Sequence, residues 1–298
     1  MTSMHKFTPS RGSLYIAGGS TAVLLVHSLG GSPQELRFVA QSLARQGHTV
    51  YCPVVPGLTF GTDVSGMSTW RDWYTAVDAA FDELKKTSET ILIAGASAGA
   101  VLALRLAAFR GVEAAGILLY APTLAVNGWA IPFTIMFFHL VSDKWTARLF
   151  KFKTPAPHGI KDERVRNFAL EAMKGDGSAA ADTTTRSGGT VYEFFKLVRN
   201  VMPMLPRISL HTLIFHPRQD DQSDLTNTMT LQRKMSGLVE VCVLEDSYHL
   251  VALDRQRGYV ADRSIEFVDR VVARVRLAAA KPAASRPAIA KQHQGAAE

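Results

Sequence analysis

The sequence predicts an α/β fold, in which a mostly parallel central sheet carries helices on both faces. Apolar runs bounded by turn residues alternate with stretches of helical period, which is typical of parallel strands joined by right-handed crossovers. The run TAVLLV at residues 21–26 is apolar throughout, so we expect it to be buried on both faces. The chain has 298 residues, of which 47% are hydrophobic, and this suffices for one large domain with an insertion.

Turn and capping residues set the expected boundaries of these elements. The tripeptide at residues 18–20, GGS, predicts a hairpin-like connection between the first two strands. Ser32 and Glu35 have the spacing of a capping box, with Pro33 at the first helical position. Trp70 and Trp73 lie on one helical period and are expected to pack in the core. Outside the motif described next, strands are predicted over 13–17, 21–26, 48–53, 116–120, 211–215 and 238–244, and helices from Ser32 onward and over 70–84, 224–235 and 259–277.

The stretch from Glu89 to Arg110 is predicted to be a strand, a tight turn and a helix. An apolar run ends in the sequence GASAG at 95–99 and passes directly into an Ala- and Leu-rich helical pattern. This is the GxSxG pattern, in which a sharp strand-to-helix reversal presents a serine Oγ to substrate. We expect Gly95 and Gly99 to lie where a Cβ would collide with neighbouring backbone, and Ser97 to be strained.

The strand and helix alternation stops between residues 125 and 207, which we expect to form a mainly helical lid inserted between two strands. It contains an apolar stretch at 129–141, a polar helix near 161–174 and a final helix at 190–201. The apolar stretch is too short to cross a bilayer. Its aromatic and methionine side chains form either the core of the lid or the wall of an acyl groove, and docking on a membrane surface is a third alternative. The residues concerned are Phe133, Met136, Phe137 and Phe138.

The lid divides a core domain into residues 1–124 and 208–277, and residues 278–298 have the composition of a disordered tail. The formal net charge is +7, but the positive residues are scattered or lie in the lid and the tail, so nucleic-acid binding is not expected. Cys52 and Cys242 are far apart in the sequence and do not have the spacing of metal ligands. Because no segment resembles a signal peptide, we expect a cytoplasmic location.

Three distant residues are candidates for nucleophilic catalysis. Ser97 is a poor nucleophile until a neighbouring base accepts its proton. His249 follows the last predicted strand and is the candidate base, and Asp220, at the end of the preceding strand, is the candidate carboxylate. Asp221 and Asp224 are close enough in sequence to replace Asp220. The carboxyl ends of parallel strands meet at one edge of the sheet, so we expect these residues to converge there.

Four segments resemble the carboxylesterase and monoacylglycerol lipase branch of the α/β-hydrolase superfamily, over about residues 13–276. They are GASAG at 95–99, HSLGG at 27–31, RQDD at 218–221 and SYHLVALDRQR at 247–257, and the order Ser, Asp, His is that of the superfamily. The resemblance implies the α/β-hydrolase fold and an esterase acting on short or medium acyl esters or monoacylglycerols through Ser97. It also implies an oxyanion hole formed by the backbone N–H groups of Leu29 and Ala98. The family usually has glycine after the histidine of HSLGG, where this chain has Ser28.

Other activities remain open at the level of sequence. The same three residues serve thioester hydrolysis and aminopeptidase-like amide hydrolysis, and a non-catalytic binding protein is a third alternative. The sequence contains no HExxH and no GxGxxG at a strand end, so neither a metal nor a dinucleotide cofactor is expected. The expected partner is a small acyl ester, and the sequence does not determine the oligomeric state.

Overall fold

The structure, a computed structural model, describes residues 9–62, 67–174 and 185–280. Within these ranges a seven-stranded sheet forms the centre of the molecule. Its strands, whose bounds are given at the end of this paragraph, lie in the order β1-β3-β2-β4-β5-β8-β9. Only β1 is antiparallel to its neighbour. The α/β class and the mostly parallel sheet predicted from the sequence are therefore confirmed. The strands are β1 Leu14–Ile16, β2 Thr21–Val26, β3 Thr49–Cys52, β4 Thr90–Ala96, β5 Gly116–Tyr120, β6 Lys151–Lys153, β7 Thr185–Ser187, β8 Thr212–Pro217 and β9 Val239–Leu244.

The predicted hairpin between the first two strands is wrong. Strand β1 pairs antiparallel with β3, so that Leu14 lies opposite Cys52. Strand β2 is enclosed by parallel pairing with β3 on one side and β4 on the other, and it has no free edge for β1. The glycine turn instead packs against the start of β3, where Gly18 N–H donates to Thr49 Oγ1.

Helices cover both faces of the sheet and bury the side chains that the sequence pattern assigned to the core. One apolar cluster joins the sheet to α1 and α8, and the other joins it to α2, α3 and α6. Trp70 and Trp73 of α2 are buried, as predicted. Every residue of β2, β4 past its first position, β5 and β8 is also buried, as expected for strands covered on both faces. The helices are α1 Arg37–Arg45, α2 Trp70–Lys85, α3 Ala98–Arg110, α4 Lys144–Ala147, α5 Glu163–Lys174, α6 Gly188–Val201, α7 Thr226–Lys234 and α8 Arg257–Ala280.

The start of the first helical region differs from the capping box that the sequence predicts. A short 3₁₀ turn at Pro33–Leu36 precedes α1, and the side chain of Ser32 caps no backbone group. The carboxylate of Glu35 does not reach back to Ser32, because it accepts hydrogen bonds from Ser28 instead. The capping-box prediction is therefore wrong.

Residues 125–207, here called the inserted segment, lie between β5 and β8. Its helices α5 and α6 agree with the predicted ones to within a few residues, and its 3₁₀ segments are Phe133–Leu140 and Met202–Arg207. The segment also contains a two-stranded antiparallel ribbon of β6 and β7, which the sequence pattern did not indicate. Strands of such length carry too little alternation to be recognised. Residues 175–184 of this segment lie outside the described residues.

The C-terminal helix α8 runs to Ala280, into the segment predicted to be disordered. Residues 281–298 of that predicted tail lie outside the described residues. Among the helices of the described ranges, none combines the length and the apolarity that a membrane span requires.

Candidate active site

Ser97 lies at the sharp turn between β4 and α3. Its backbone has φ 53° and ψ −117°, a conformation that costs free energy for a residue with a side chain. Neighbouring backbone enforces the turn, because a Cβ on Gly95 would overlap the backbone of Gly99, and a Cβ on Gly99 would overlap the carbonyls of Val26 and His27. The strand, turn and helix predicted for this stretch are confirmed.

The structure brings the three predicted reactive side chains together in one hydrogen-bonded chain. His249 Nε2 lies 2.8 Å from Ser97 Oγ, and His249 Nδ1 lies 2.8 and 3.0 Å from the two carboxylate oxygens of Asp220. A carboxylate only accepts, so Nδ1 carries the proton and Nε2 is left to accept one from the serine hydroxyl. His249 and Asp220 are both buried.

The electrostatics of this chain favour the proton positions that nucleophilic attack requires. Burial alone lowers the pKa of His249, but the carboxylates of Asp220, Asp221 and Glu35 outweigh burial and raise the net pKa above its usual value. Burial raises the pKa of Asp220, but the charge and hydrogen bond of His249 outweigh this and hold the carboxyl below its ordinary pKa. Asp220 therefore stays ionised and can stabilise an imidazolium.

The two neighbouring aspartates occupy other positions. Asp221 accepts from the backbone N–H groups of Gly159 and His249, at 2.8 and 3.3 Å. Asp224 accepts from Thr226, and its side chain is not within hydrogen-bonding distance of His249. Of the three aspartates that the sequence left as alternatives, Asp220 is the one whose side chain is hydrogen-bonded to His249 Nδ1.

A further aspartate, Asp254, holds the loop of His249 to the inserted segment. Its carboxylate accepts from the N–H groups of Tyr248, Lys161 and Asp162 at 2.7, 2.8 and 2.9 Å. Leu250 N–H also donates to the carbonyl of Gly159 at 2.8 Å. The position of the imidazole thus depends on backbone groups of residues 159–162.

The loop at residues 27–31 follows β2, and its backbone hydrogen bonds are almost complete. The carbonyl of Ser28 accepts from His27 Nδ1 and from Gly31 N–H, at 2.8 and 3.1 Å. Burial lowers the pKa of His27 to about 4, so its ring stays neutral. Within the described residues, the N–H of Leu29 has no hydrogen-bond partner, and neither has the N–H of Ala98 at the first position of α3.

A cavity of about 760 Å³ opens on Ser97, Leu29 and Ala98. Much of its wall comes from the inserted segment, and the side chains there are largely apolar. The β6–β7 ribbon and α5 also contribute positively charged side chains to the lining. The lining includes Val126, Ile131, Pro132, Ile135, Ile160, Val165, Phe168, Val191 and Phe194, with Lys151, Lys153, Arg166 and Arg186.

Two of the four predicted acyl-groove residues, Phe137 and Phe138, lie outside this wall. Phe138 is buried in the inserted segment, with ring centroids 4.7 and 5.6 Å from Phe152 and Phe150. Phe137 is 58% exposed, and neither ring is part of the cavity lining. The side chains of Phe133 and Met136 lie outside the described part of the structure. Phe138 thus follows the alternative in which these residues form the core of the lid, because an aromatic cluster surrounds it.

Sequence reasoning missed three side chains around the site. Thr123 Oγ1 lies 3.2 Å from Ser97 Oγ, and the guanidinium of Arg186 reaches the carbonyls of Leu29 and Gly30. Glu35 is the third. Thr123 and Arg186 belong to no motif. The serine in place of the usual glycine at position 28 was the one signal that pointed toward Glu35.

Comparison with known proteins places these features in a family. Residues 23–263 match the model of the alpha/beta hydrolase family. A thermostable monoacylglycerol lipase of Bacillus sp. (strain H-257) is 27% identical over 256 residues, which cover 85% of this chain and 92% of the lipase. A carboxylesterase of Bacillus subtilis (strain 168) is 21% identical over 256 residues, 85% of this chain and 94% of the esterase. A soluble variant of the monoglyceride lipase of Saccharomyces cerevisiae, 15% identical, superimposes with a TM-score of 0.71 over 87% of this chain and 91% of its own. The chain belongs to the alpha/beta hydrolase family.

Proposed function

We propose that the protein is a serine esterase that cleaves carboxylic esters, of short or medium acyl chains or of monoacylglycerols, through an acyl-enzyme on Ser97. The observation that carries the proposal is the chain of hydrogen bonds from Asp220 through His249 to Ser97 Oγ. The N–H groups of Leu29 and Ala98, which face the same cavity, have no hydrogen-bond partner among the described residues. The similarity to a monoacylglycerol lipase and a carboxylesterase supports the choice of ester substrates.

The reaction follows from the positions of these groups. Ser97 Oγ attacks the ester carbonyl while its proton moves to His249 Nε2, and Asp220 stabilises the imidazolium. The N–H groups of Leu29 and Ala98 donate to the carbonyl oxygen as it gains negative charge. Collapse of the tetrahedral intermediate breaks the bond to the alcohol, which leaves with the proton from Nε2. Water then attacks the acyl-enzyme by the same sequence of proton transfers and releases the acid.

We further propose that the inserted segment acts as a lid over the acyl chain. The apolar wall that Ile131, Ile135 and Phe194 contribute to the cavity supports this role. A cavity of about 760 Å³ is within the usual range for a small-molecule site. Hydrolysis of p-nitrophenyl esters from acetyl to palmitoyl, compared by kcat/KM, measures the acyl length that this wall accepts.

The nucleophile is tested by Ser97→Ala. We expect hydrolysis of p-nitrophenyl esters to fall by about 10⁶-fold, because the acyl-enzyme no longer forms. A fluorophosphonate probe should label the parent protein and leave Ser97→Ala unlabelled. An unlabelled parent with no turnover would support the binding-protein alternative, and a Ser97→Ala variant as active as the parent would reject Ser97 as the nucleophile.

The carboxylate is tested by Asp220→Asn with Asp224→Asn as the matched control. Asparagine does not hold His249 in the tautomer that accepts a proton at Nε2, so kcat should fall by about 10⁴-fold. Asp224 contacts Thr226 rather than His249, and its replacement should leave kcat within a few-fold of the parent value. Equal losses in the two variants would show that Asp220 is not the partner of His249.

Thioester and amide hydrolysis are the second candidate function, because the same groups perform acyl transfer on either bond. A panel of matched oxygen esters, acyl thioesters and aminoacyl amides with one acyl group distinguishes them. The proposal expects the highest kcat/KM for the oxygen ester. If a thioester or an amide has the higher kcat/KM, the proposal of an esterase is rejected in favour of a thioesterase or an amidase.

A further inference from the structure

Glu35 takes no part in the proton relay, but both oxygens of its carboxylate accept hydrogen bonds from the loop at 27–31. Its Oε1 accepts from the backbone N–H of Ser28 at 2.5 Å, and its Oε2 accepts from Ser28 Oγ at 2.7 Å. The packing is close, because a Cβ on Gly31 would overlap both Glu35 Oε2 and Ser28 Oγ. The hydroxyl of Ser28 gives this carboxylate a second donor that a glycine would lack.

Arg186 binds the same loop through the next two peptide groups. Its Nε donates to the carbonyl of Leu29 at 3.3 Å, and its Nη2 donates to the carbonyl of Gly30 at 3.1 Å. Arg186 lies on β7 of the inserted segment, whereas Glu35 lies just before α1 of the core domain. Two charged side chains from distant parts of the chain therefore meet on one short loop.

The remaining backbone groups of the loop are also bonded. Gly30 N–H donates to the carbonyl of Leu58 at 2.7 Å, and the carbonyl of Gly31 accepts from Phe60 N–H at 2.9 Å. From Ser28 to Gly31, within the part of the chain that the structure describes, Leu29 N–H is the only backbone donor or acceptor without a protein partner.

We propose that Glu35 and Arg186 are positioning residues that fix the Leu29 N–H toward the reacting carbonyl oxygen, and that Ser28 is the group through which Glu35 acts. The inference rests on the proposed function, since it concerns the donor of that oxyanion hole. Hydrogen bonds that involve a charged partner are about twice as strong as neutral ones. A preorganised donor stabilises the transition state without reorganising during the reaction.

Arg186 has a second consequence for the site. Because Arg186 belongs to the inserted segment, the position of the Leu29 N–H depends on how that segment packs on the core. The other donor, Ala98 N–H, lies at the start of α3, directly after the turn of Ser97. Contacts that seat the inserted segment correctly therefore also complete the oxyanion hole.

The test compares Glu35→Ala, Glu35→Gln and Ser28→Gly with the parent in ester hydrolysis. Glu35→Ala leaves the N–H and Oγ of Ser28 unpaired, and we expect kcat to fall about 10- to 100-fold, less than the loss of a whole oxyanion donor, with KM unchanged. Glu35→Gln keeps an acceptor for Ser28 N–H and should restore most of kcat. Ser28→Gly removes only the hydroxyl and should give an intermediate loss.

Binding of a trifluoromethyl ketone separates positioning from a general loss of stability. Ser97 Oγ adds to the ketone carbon, its proton passes to His249 Nε2, and the former carbonyl oxygen carries the negative charge. Affinity for this adduct should fall in Glu35→Ala by the same factor as kcat. Affinity for a product carboxylic acid should not change.

Matched controls come from groups of the same kind elsewhere. Glu193 is a buried carboxylate that accepts from Trp70 N–H rather than from the loop, and Glu193→Gln should leave kcat and ketone affinity unchanged. Arg270 donates to the carboxylate of Glu240 and does not line the cavity, so Arg270→Gln controls for the loss of a guanidinium in Arg186→Gln. Arg186→Gln should lower kcat and ketone affinity together, and its effect should not add to that of Glu35→Ala, because both act on one loop.

Each outcome decides the inference. A parent without esterase activity rejects the proposed function itself. An active parent with Glu35→Ala folded and equally active, or with KM raised and ketone affinity unchanged, rejects the positioning role alone. If Glu35→Ala does not fold, Ser28→Gly and Arg186→Gln carry the test, and parental values in both would overturn the proposal.

Discussion

The two proposed oxyanion donors are held by different means. Ala98 N–H is fixed by backbone geometry, since Ser97 turns sharply at φ 53° and the glycines beside it let three backbone segments meet. Leu29 N–H is fixed by side chains, because Glu35 and Arg186 bind the peptide groups around it. The first arrangement leaves no room for adjustment, whereas the second can be loosened without unfolding the chain.

This difference predicts that substitutions at the turn of Ser97 and substitutions at the loop 27–31 will have different effects. A side chain added at Gly95 or Gly99 should prevent folding, because the new Cβ would overlap backbone atoms that have nowhere to move. Changes at the loop should leave folded protein with lower kcat, because a displaced side chain can find another rotamer. Three experiments test the comparison, from the largest expected effect to the smallest.

Gly99→Ala should destabilise the fold by about 3 kcal/mol or more, because the new Cβ overlaps the backbone carbonyls of Val26 and His27. Thermal unfolding and the yield of folded protein measure the loss. Gly258→Ala is the control, since its Cβ would meet no atom within 4 Å in the described part of the chain and its position in α8 favours alanine. A Gly99→Ala variant as stable as Gly258→Ala would contradict the rigid turn.

Gly30→Ala should fold and lose about tenfold in kcat, because its Cβ would take the place of the Arg186 guanidinium, which is the flexible end of a side chain. Gly61→Ala is the matched control, since Gly61 also has positive φ but no atom of the described residues lies within 4 Å of the new Cβ. Both variants carry the backbone strain, and only Gly30→Ala displaces Arg186. Equal kcat values for the two would show that Arg186 does not hold the loop.

The third experiment is a pH profile of kcat/KM. The proposed mechanism requires neutral His249, whose pKa is raised above the usual 6.5, so activity should fall as the pH drops through that raised value. The carboxylate of Glu35 helps to raise this pKa, and Glu35→Gln should move the acid limb to lower pH. Glu193→Gln should leave the limb unmoved. A shift to higher pH in Glu35→Gln would have the wrong sign and would reject this electrostatic effect.

The same contrast explains what the sequence could predict. The turn of Ser97 depends on residues within one short stretch, so the pattern of glycines around Ser97 and the flanking strand and helix were recognisable. Asp220 and His249 follow strands and were found because parallel strands deliver their ends to one edge. Their meeting within hydrogen-bonding distance is a property of the folded chain that the sequence order alone only suggests.

The parts that could not be predicted depend on contacts between distant residues. Glu35 has capping-box spacing from Ser32, and only the folded loop shows that Ser28 competes successfully for its carboxylate. Arg186 lies more than a hundred and fifty residues from its carbonyl partners in the sequence. The side chains of the apolar stretch 129–141 that face the cavity could not be predicted. Residues 133–140 form a 3₁₀ segment, in which side chains do not repeat with the period of an α-helix.

The carboxylates of Asp221 and Asp254 have a consequence for engineering substrate range. They fasten the backbone at residues 159–162 to the turn that carries His249. A chimera that receives this insert from a relative must therefore supply equivalent amide donors at those positions. Without these donors, both carboxylates would lose hydrogen bonds beside His249, the proposed general base, and the imidazole would shift from its position at Ser97.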